Sequence, residues 1–228
     1  MARALLIDMD DTLYDEASYV RSGIRAVADD LARRFPRLDA GRMQAAMNAE
    51  LEAHGRGRVF DAVLADAGLA ADPLLIADLV QTYRDHAPAI SLWPGVAEAL
   101  ADLRRDHRLA IITDGLGRMQ RRKFTALGLE RLVDEVVYCW EHDAPKPDPS
   151  AYREALQRFA VRTADAVVIG DRPDHDMAAA AAIGCRSIRV LTGRYAVADP
   201  GAFAADSTVA DFAAAPQVLR GEEFGAAA

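Results

Sequence analysis

The sequence predicts an α/β fold, a doubly wound parallel sheet with a smaller all-helical domain inserted into it. Three features lead there. Short aliphatic and β-branched runs recur along the chain, segments with apolar residues at helical spacing separate them, and one long interval after the first run carries helical patterns alone. Strands covered on both faces lose the in-out alternation of a half-exposed strand and read as continuous apolar runs. Their alternation with helices is the pattern of parallel strands joined by helical crossovers.

In chain order, the first strand is predicted from Ala4 to Ile7, and the others from Leu109 to Ile112, Glu135 to Cys139, Ala166 to Ile169 and Ser187 to Val190. Val96, Leu100 and Leu103, after the turn pair Pro94-Gly95, share one helical face. Tyr152, Leu156 and Phe159 do the same after Asp148-Pro149, where the aspartate can accept from free backbone N–H groups and the proline brings a preset φ with no donor to lose. Between about Asp15 and Leu92 no strand is predicted. Val20, Ile24, Val27, Ala28 and Leu31 form one apolar stripe, Phe60, Val63, Leu64 and Ala67 a second, and Ile76, Leu79, Val80 and Tyr83 a third that opens at Asp72-Pro73. The expected division is an α/β domain of residues 1–14 and 92–228, interrupted by a helical domain at residues 15–91. The alanine-rich tail after Leu219 is expected to fray.

Composition narrows the function. A chain of 228 residues with 51% hydrophobic content builds a core without covalent staples. Cys139 and Cys185 each lie in an apolar stretch without a second thiol at CxxC spacing, so two reduced core cysteines are expected. The five histidines show no ligand spacing, which argues against zinc. No run approaches the roughly 20 apolar residues of a membrane span, and the opening MARALLIDMDD turns acidic too early for a secretory signal. The expectation is a cytoplasmic protein without a membrane partner. A formal net charge of −8 disfavours nucleic acid, whose phosphates are held chiefly by Lys and Arg.

In an open α/β sheet, ligands sit outside the carboxyl ends of the strands. Four such ends carry polar residues that make chemical sense together. Asp8-Met9-Asp10-Asp11-Thr12 follows the first strand and Thr113-Asp114-Gly115 the second; Pro145-Lys146-Pro147 comes a few residues after the third, and Gly170-Asp171-Arg172-Pro173-Asp174-His175-Asp176 follows the fourth. Converging carboxylates repel, and a hard cation removes the conflict. Mg²⁺ takes a few carboxylate oxygens together with water and substrate phosphate, which Asp8, Asp171 and a backbone carbonyl near Asp10 can supply. Lys146 adds positive charge, and the Thr113 hydroxyl with neighbouring backbone N–H groups can hold phosphoryl oxygens. This inventory suits phosphoryl transfer, where the protein mainly positions reactants and neutralises charge. The predicted partner is a small phosphorylated metabolite, handled by a monomer or homodimer.

These four elements resemble the haloacid dehalogenase superfamily, with its DxDxT on the first strand, Ser or Thr on the second, a Lys, and an acidic cluster after the fourth. The resemblance covers the whole core. It implies a Mg²⁺-dependent phosphatase in which Asp8 is the nucleophile and Asp10 the acid and base. Thr113, Asp114, Gly115 and Lys146 then bind phosphate, and Asp8, Asp10, Asp171 and Asp176 surround the metal. The helical insertion resembles that family's cap, which closes over the site and selects the substrate; on it, Arg56 and Arg58 of the Gly55–Arg58 loop are candidates to meet an anionic part of the substrate. Arg172-Pro173 departs from a common form of the last motif, while the D-x₄-D spacing is kept. A phosphomutase of the same fold is the alternative reaction. A non-catalytic phosphate-binding protein or a receiver-like signalling protein is a further alternative, although the receiver's Thr and Lys follow the phosphoacceptor in a different order.

Other residues receive ordinary readings. Asp11 is expected to organise the turn, Asp114 also to cap the next helix, Asp174 to cap the helix near Pro173, and Trp93 and Trp140 to pack near strand ends. Gly115-Leu116-Gly117 lacks the third glycine of a dinucleotide loop, Gln120 standing in its place.

Overall fold

β1 (Ala4–Ile7) is an uninterrupted aliphatic strand with no exposed residue, and the chain leaves it for four consecutive helices: α1 (Glu16–Arg34), α2 (Ala40–His54), α3 (Val59–Asp66) and α4 (Pro73–Asp85). The alternating part follows: α5 (Val96–Leu103), β2 (Arg108–Thr113), α6 (Gly117–Ala126), β3 (Glu135–Tyr138), α7 (Ser150–Phe159), β4 (Ala166–Gly170), α8 (Ala178–Ile183), β5 (Arg186–Val190), β6 (Ser207–Val209) and α9 (Ala215–Arg220). The computed structural model describes residues 3–221. Most of the tail expected to fray lies beyond Gly221, outside the described residues.

The six strands form one sheet in the order β3-β2-β1-β4-β5-β6, with all pairs parallel. Ile7 stands opposite Ile111 on one side and Ile169 on the other, so these strands finish nearly level. The chain runs outward from β1 through β2 to β3, then returns across the sheet to β4. The order therefore reverses between β1 and β4, which opens a crevice outside their carboxyl ends. Leu5, Leu6 and Ile7 have no solvent exposure, and each such side chain contributes about 1.5–3 kcal/mol on burial. The residues just beyond β1 are thus anchored by a strand buried along its whole length.

The chain forms two compact units, Met1–Glu16 with Ile90–Ala228, and Ala17–Ala89. The α/β unit packs Leu6, Ile112, Val137, Tyr152, Val168 and Met177 into one core. The helical unit has its own, around Ile24, Val27, Leu31, Met47, Val63 and Leu79. No helix among the described residues is long and apolar enough to cross a membrane.

Several local expectations need correction. β6 was not predicted, because three residues with only Val209 buried show no usable period. α2 was also missed: Met47 is its one buried residue, so its apolar stripe is faint, although Asp39 caps it by accepting from Arg42 N at 2.8 Å. Cys139 does not end β3 but starts a single 3₁₀ turn, which buries the thiol and leaves Trp140 52% exposed. Trp140 is therefore not a packing residue. Asp174 caps nothing; it is paired with Arg172 Nη2 at 2.9 Å.

Candidate active site

Beyond Ile7 the backbone keeps the sheet's pairing for one more residue, with Asp8 N donating to Ile169 O at 2.9 Å. The chain then turns sharply. Asp11 takes a left-handed φ of 57°, and Leu13 N donates to Met9 O at 3.0 Å. The turn brings Thr12 back over the strand end, where its Oγ1 donates to Asp8 Oδ2 at 2.9 Å. Asp11 itself accepts from Glu16 N at 2.9 Å and from Thr192 Oγ1, on its carbonyl, at 2.5 Å, tying the loop to the one after β5.

Lys146 enters from the segment after β3. Its Nζ lies 2.5 Å from Asp8 Oδ1 and 2.8 Å from Asp176 Oδ1, with a side chain only 2% exposed. Asp114 helps to set that position: its Oδ2 accepts from Lys146 N at 3.2 Å and its Oδ1 from Gly115 N at 2.9 Å. It joins two loops and does not cap α6, which starts without a side-chain cap.

After β4, Asp171 and Asp176 flank a single π-helical turn, Pro173–Met177, a distortion that re-aims side chains and often marks functional sites. Asp176 accepts from Tyr152 OH at 3.1 Å and from Arg172 N at 3.2 Å besides Lys146. It lies against Gly170, where any Cβ would collide with its carboxylate. Asp171 is 2% exposed, and its Oδ2 is buried without a hydrogen-bond partner. Oxygens of Asp8, Asp171 and Asp176 all lie within 4.8 Å of one another.

Burial first, and then the neighbouring charges, shift the acids of this cluster. Burial, opposed by Lys146 and reinforced by Asp176 and Asp10, pushes Asp8 up to about 7. Burial and then the neighbouring Asp8 and Asp176 push Asp171 up to about 9. Lys146 is held well above its ordinary value, since the two carboxylates outweigh its own desolvation. Were all three carboxylates ionised, the single ammonium would leave two negative charges unmatched. The orphaned Asp171 oxygen and this surplus fit a hard divalent cation, whose preferred ligands are carboxylate oxygens.

Asp10 has a separate set of partners. Lys123 Nζ donates to its Oδ1 at 2.7 Å, Tyr14 OH bonds to the same oxygen, and Gln120 Nε2 donates to Oδ2 at 2.6 Å. Burial opposes its ionisation, but the charge and hydrogen bond of Lys123, with those from Tyr14 and Gln120, outweigh it and hold Asp10 below the usual carboxylate range. Thr113 is fully buried, and its Oγ1 accepts from the same Gln120 at 2.7 Å.

The structure thus gathers Asp8, Lys146, Asp171 and Asp176 around one point, and links Asp10, Thr113 and Asp114 through Gln120. Arg56 and Arg58 belong to the helical unit, exposed on the loop between α2 and α3. Sequence reasoning overlooked Lys123, Gln120, Tyr14 and Tyr152 as parts of this network. Lys123 follows Arg121-Arg122 and reads as solvated; its one signal is a spacing that places it on the same helical face as Gln120 and Leu127.

Comparisons with known proteins agree with this arrangement. A family model described as haloacid dehalogenase-like hydrolase matches residues 2–184. The chain is 31% identical over 208 residues to the glyceraldehyde 3-phosphate phosphatase of Methanopyrus kandleri, covering 88% of each chain. It is 32% identical over 221 residues to a plasmid-encoded phosphoglycolate phosphatase of Cupriavidus necator, covering 95% of this chain and 92% of that one. Among solved structures, the 2-haloacid dehalogenase of Pseudomonas syringae pv. Tomato superposes with a TM-score of 0.68 at 25% identity, covering 96% of this chain and 98% of the other. With the parallel sheet, the acidic cluster at its switch point and a family model spanning most of its length, this chain belongs to the haloacid dehalogenase-like hydrolases.

Proposed function

We propose that the chain is a Mg²⁺-dependent phosphatase that hydrolyses a small phosphomonoester through an aspartyl-phosphate on Asp8. One observation carries the reading: Asp8 is fixed at the carboxyl end of the central strand between Lys146 and Thr12, inside an acidic cluster whose surplus charge matches a divalent cation. The phosphatase names of several relatives support the same reaction class.

In the first step a carboxylate oxygen of Asp8 forms a bond to phosphorus as the bond to the leaving oxygen breaks, and that oxygen takes a proton from Asp10. In the second, Asp10 takes a proton from water as the water oxygen attacks phosphorus, and the O–P bond of the acyl phosphate breaks to return the Asp8 carboxylate and release inorganic phosphate. The partners of Asp10 favour its carboxylate form before substrate arrives. A phosphate dianion beside it adds negative charge and favours the protonated form that the first step needs. Lys146 Nζ and Thr113 Oγ1 bind phosphoryl oxygens with backbone N–H groups of the Thr113–Gly115 loop, which Asp114 shapes. Asp8, Asp171 and Asp176 would hold Mg²⁺ through carboxylate oxygens, and Asp10 through its backbone carbonyl. The ion, when bound, neutralises phosphoryl charge and polarises the P–O bonds.

The helical insertion, residues 15–91, serves in this reading as the substrate-selecting cap, with Arg56 and Arg58 meeting an anionic part of the substrate. Within that unit an open cavity of about 440 Å³ is lined by Arg58 together with Glu50, His54 and Asp61, and Arg56 is not part of its lining. Arg58→Ala should raise KM for the true substrate and spare a small generic ester; equal effects on both would remove the assignment.

The direct test is phosphate release from a panel of phosphorylated metabolites with Mg²⁺. Wild type should accumulate inorganic phosphate, and Asp8→Asn should release none while melting like the wild type. Substrate consumed without phosphate release would favour a mutase, and retained phosphatase activity in Asp8→Asn would exclude Asp8 as nucleophile.

A further inference from the structure

A lysine ammonium is costly to bury and stays buried only where its charge is matched. Lys123 is one of four consecutive polar side chains on α6; its neighbours Arg121 and Arg122 are exposed, whereas its own side chain is 5% exposed and aimed at Asp10. Its ion pair is with Asp10 Oδ1 at 2.7 Å. Tyr14 OH serves the same oxygen.

The other oxygen is held differently. Gln120 Nε2 lies 2.6 Å from Asp10 Oδ2, 2.7 Å from Thr113 Oγ1 and 2.6 Å from Asp114 O. A carboxamide nitrogen carries two hydrogens, so the three acceptors compete for two donors. Thr113 Oγ1 becomes the stronger acceptor once its own proton bonds to a phosphoryl oxygen, because linked hydrogen bonds polarise one another. That draws Gln120 away from Asp10 Oδ2.

We propose that Lys123, with Tyr14, is a positioning residue that pins Asp10 by Oδ1, and that Gln120 holds Oδ2 in reserve until phosphate engages Thr113, leaving Oδ2 the proton-transferring oxygen. The proposal rests on the reading of Asp10 as acid and base. It introduces no new chemical step: the proton still passes between Asp10 and the leaving oxygen or water. The clamp adds that the transfer uses one defined oxygen in one rotamer, set by a buried helix face.

The test compares two esters on the full-length protein with Mg²⁺: a simple alkyl phosphate, whose leaving alkoxide needs a proton, and p-nitrophenyl phosphate, whose leaving phenolate does not. In Lys123→Met, kcat for the alkyl ester should fall about 10²-fold or more, the scale of a displaced general acid, with KM changed less than about threefold. The aryl ester should give a rapid burst of nitrophenolate, near the wild-type rate, before slow turnover. Wild-type kinetics on the alkyl ester, equal losses in the alkyl rate and the aryl burst, or a change confined to KM would each overturn the proposal. Asp10→Asn is measured alongside. If it treats the two esters alike, the acid–base reading falls; if it is selective and Lys123→Met is not, only the positioning falls. Should Lys123→Met melt below the assay temperature, Tyr14→Phe removes the other donor to Asp10 Oδ1 and carries the same comparison, with alkyl-selective loss expected and uniform loss contradicting the proposal.

Discussion

Methionine in place of Lys146 keeps the unbranched stem, one atom shorter, and removes its charge. Asp8 and Asp176 then lose their shared cation in a site where the side chains of Lys146 and Asp176 are each 2% exposed and that of Asp8 is 10%. Stripping one partner from a buried pair costs about 3–5 kcal/mol, against about 0–1 kcal/mol for an exposed pair. The loss must also depend on pH. An acid whose pKa is raised by folding keeps its proton in the native state where the unfolded chain has lost it, so stability falls as pH rises above the unfolded value. Asp8 already sits at about 7 with the lysine in place, and without Lys146 it moves higher. At pH 5 Asp8 is protonated in both proteins and loses little; at pH 8 the wild type has an ionised pair to lose. Urea unfolding in EDTA should show Lys146→Met about 3–5 kcal/mol less stable at pH 8, with a smaller deficit at pH 5. A deficit below about 1 kcal/mol at pH 8, or a larger one at pH 5, would refute the reasoning.

The raised values of Asp171, to about 9, and Asp8, to about 7, predict that the metal-free protein loses stability as pH climbs from the ordinary 3.8 through both values. Saturating MgCl₂ should relieve this and raise Tm more at pH 8 than at pH 5.5, as thermal melts would show; equal shifts would argue against a cation at the carboxylates. Gly170→Ala drives a methyl group into Asp176 and should cost about 1–3 kcal/mol while weakening Mg²⁺ binding by calorimetry; unchanged affinity would mean Asp176 is no ligand. Burial pushes the Cys139 thiol to about 12 and that of Cys185 to about 11, so Ellman's reagent should find neither thiol until denaturant is added, and rapid labelling of native protein would contradict their buried placement.

The parallel sheet was legible because doubly covered strands such as Ala4–Ile7 and Ala166–Gly170 must be apolar throughout, and that leaves an unambiguous trace. The acidic groups were legible for a related reason, since charged residues directly after such strands have few structural excuses. What escaped notice depends on tertiary contact. Lys123 sits among arginines and differs from them only in facing Asp10, a contact spanning 113 positions of sequence. Asp114 reads as a helix cap until the Lys146 loop arrives to receive it. Trp140 reads as core by composition, yet the 3₁₀ turn spends its one inward position on Cys139. β6 is recognisable only by its pairing with β5.

Acid quenching during turnover, followed by borohydride reduction and peptide mass spectrometry, tests the central claim most directly. An acyl phosphate is reduced to an alcohol, so Asp8 should be recovered as homoserine in the peptide that contains it, and only when substrate and Mg²⁺ are both present. Turnover with an unmodified Asp8, or with the modification on another carboxylate, would contradict covalent catalysis at this position.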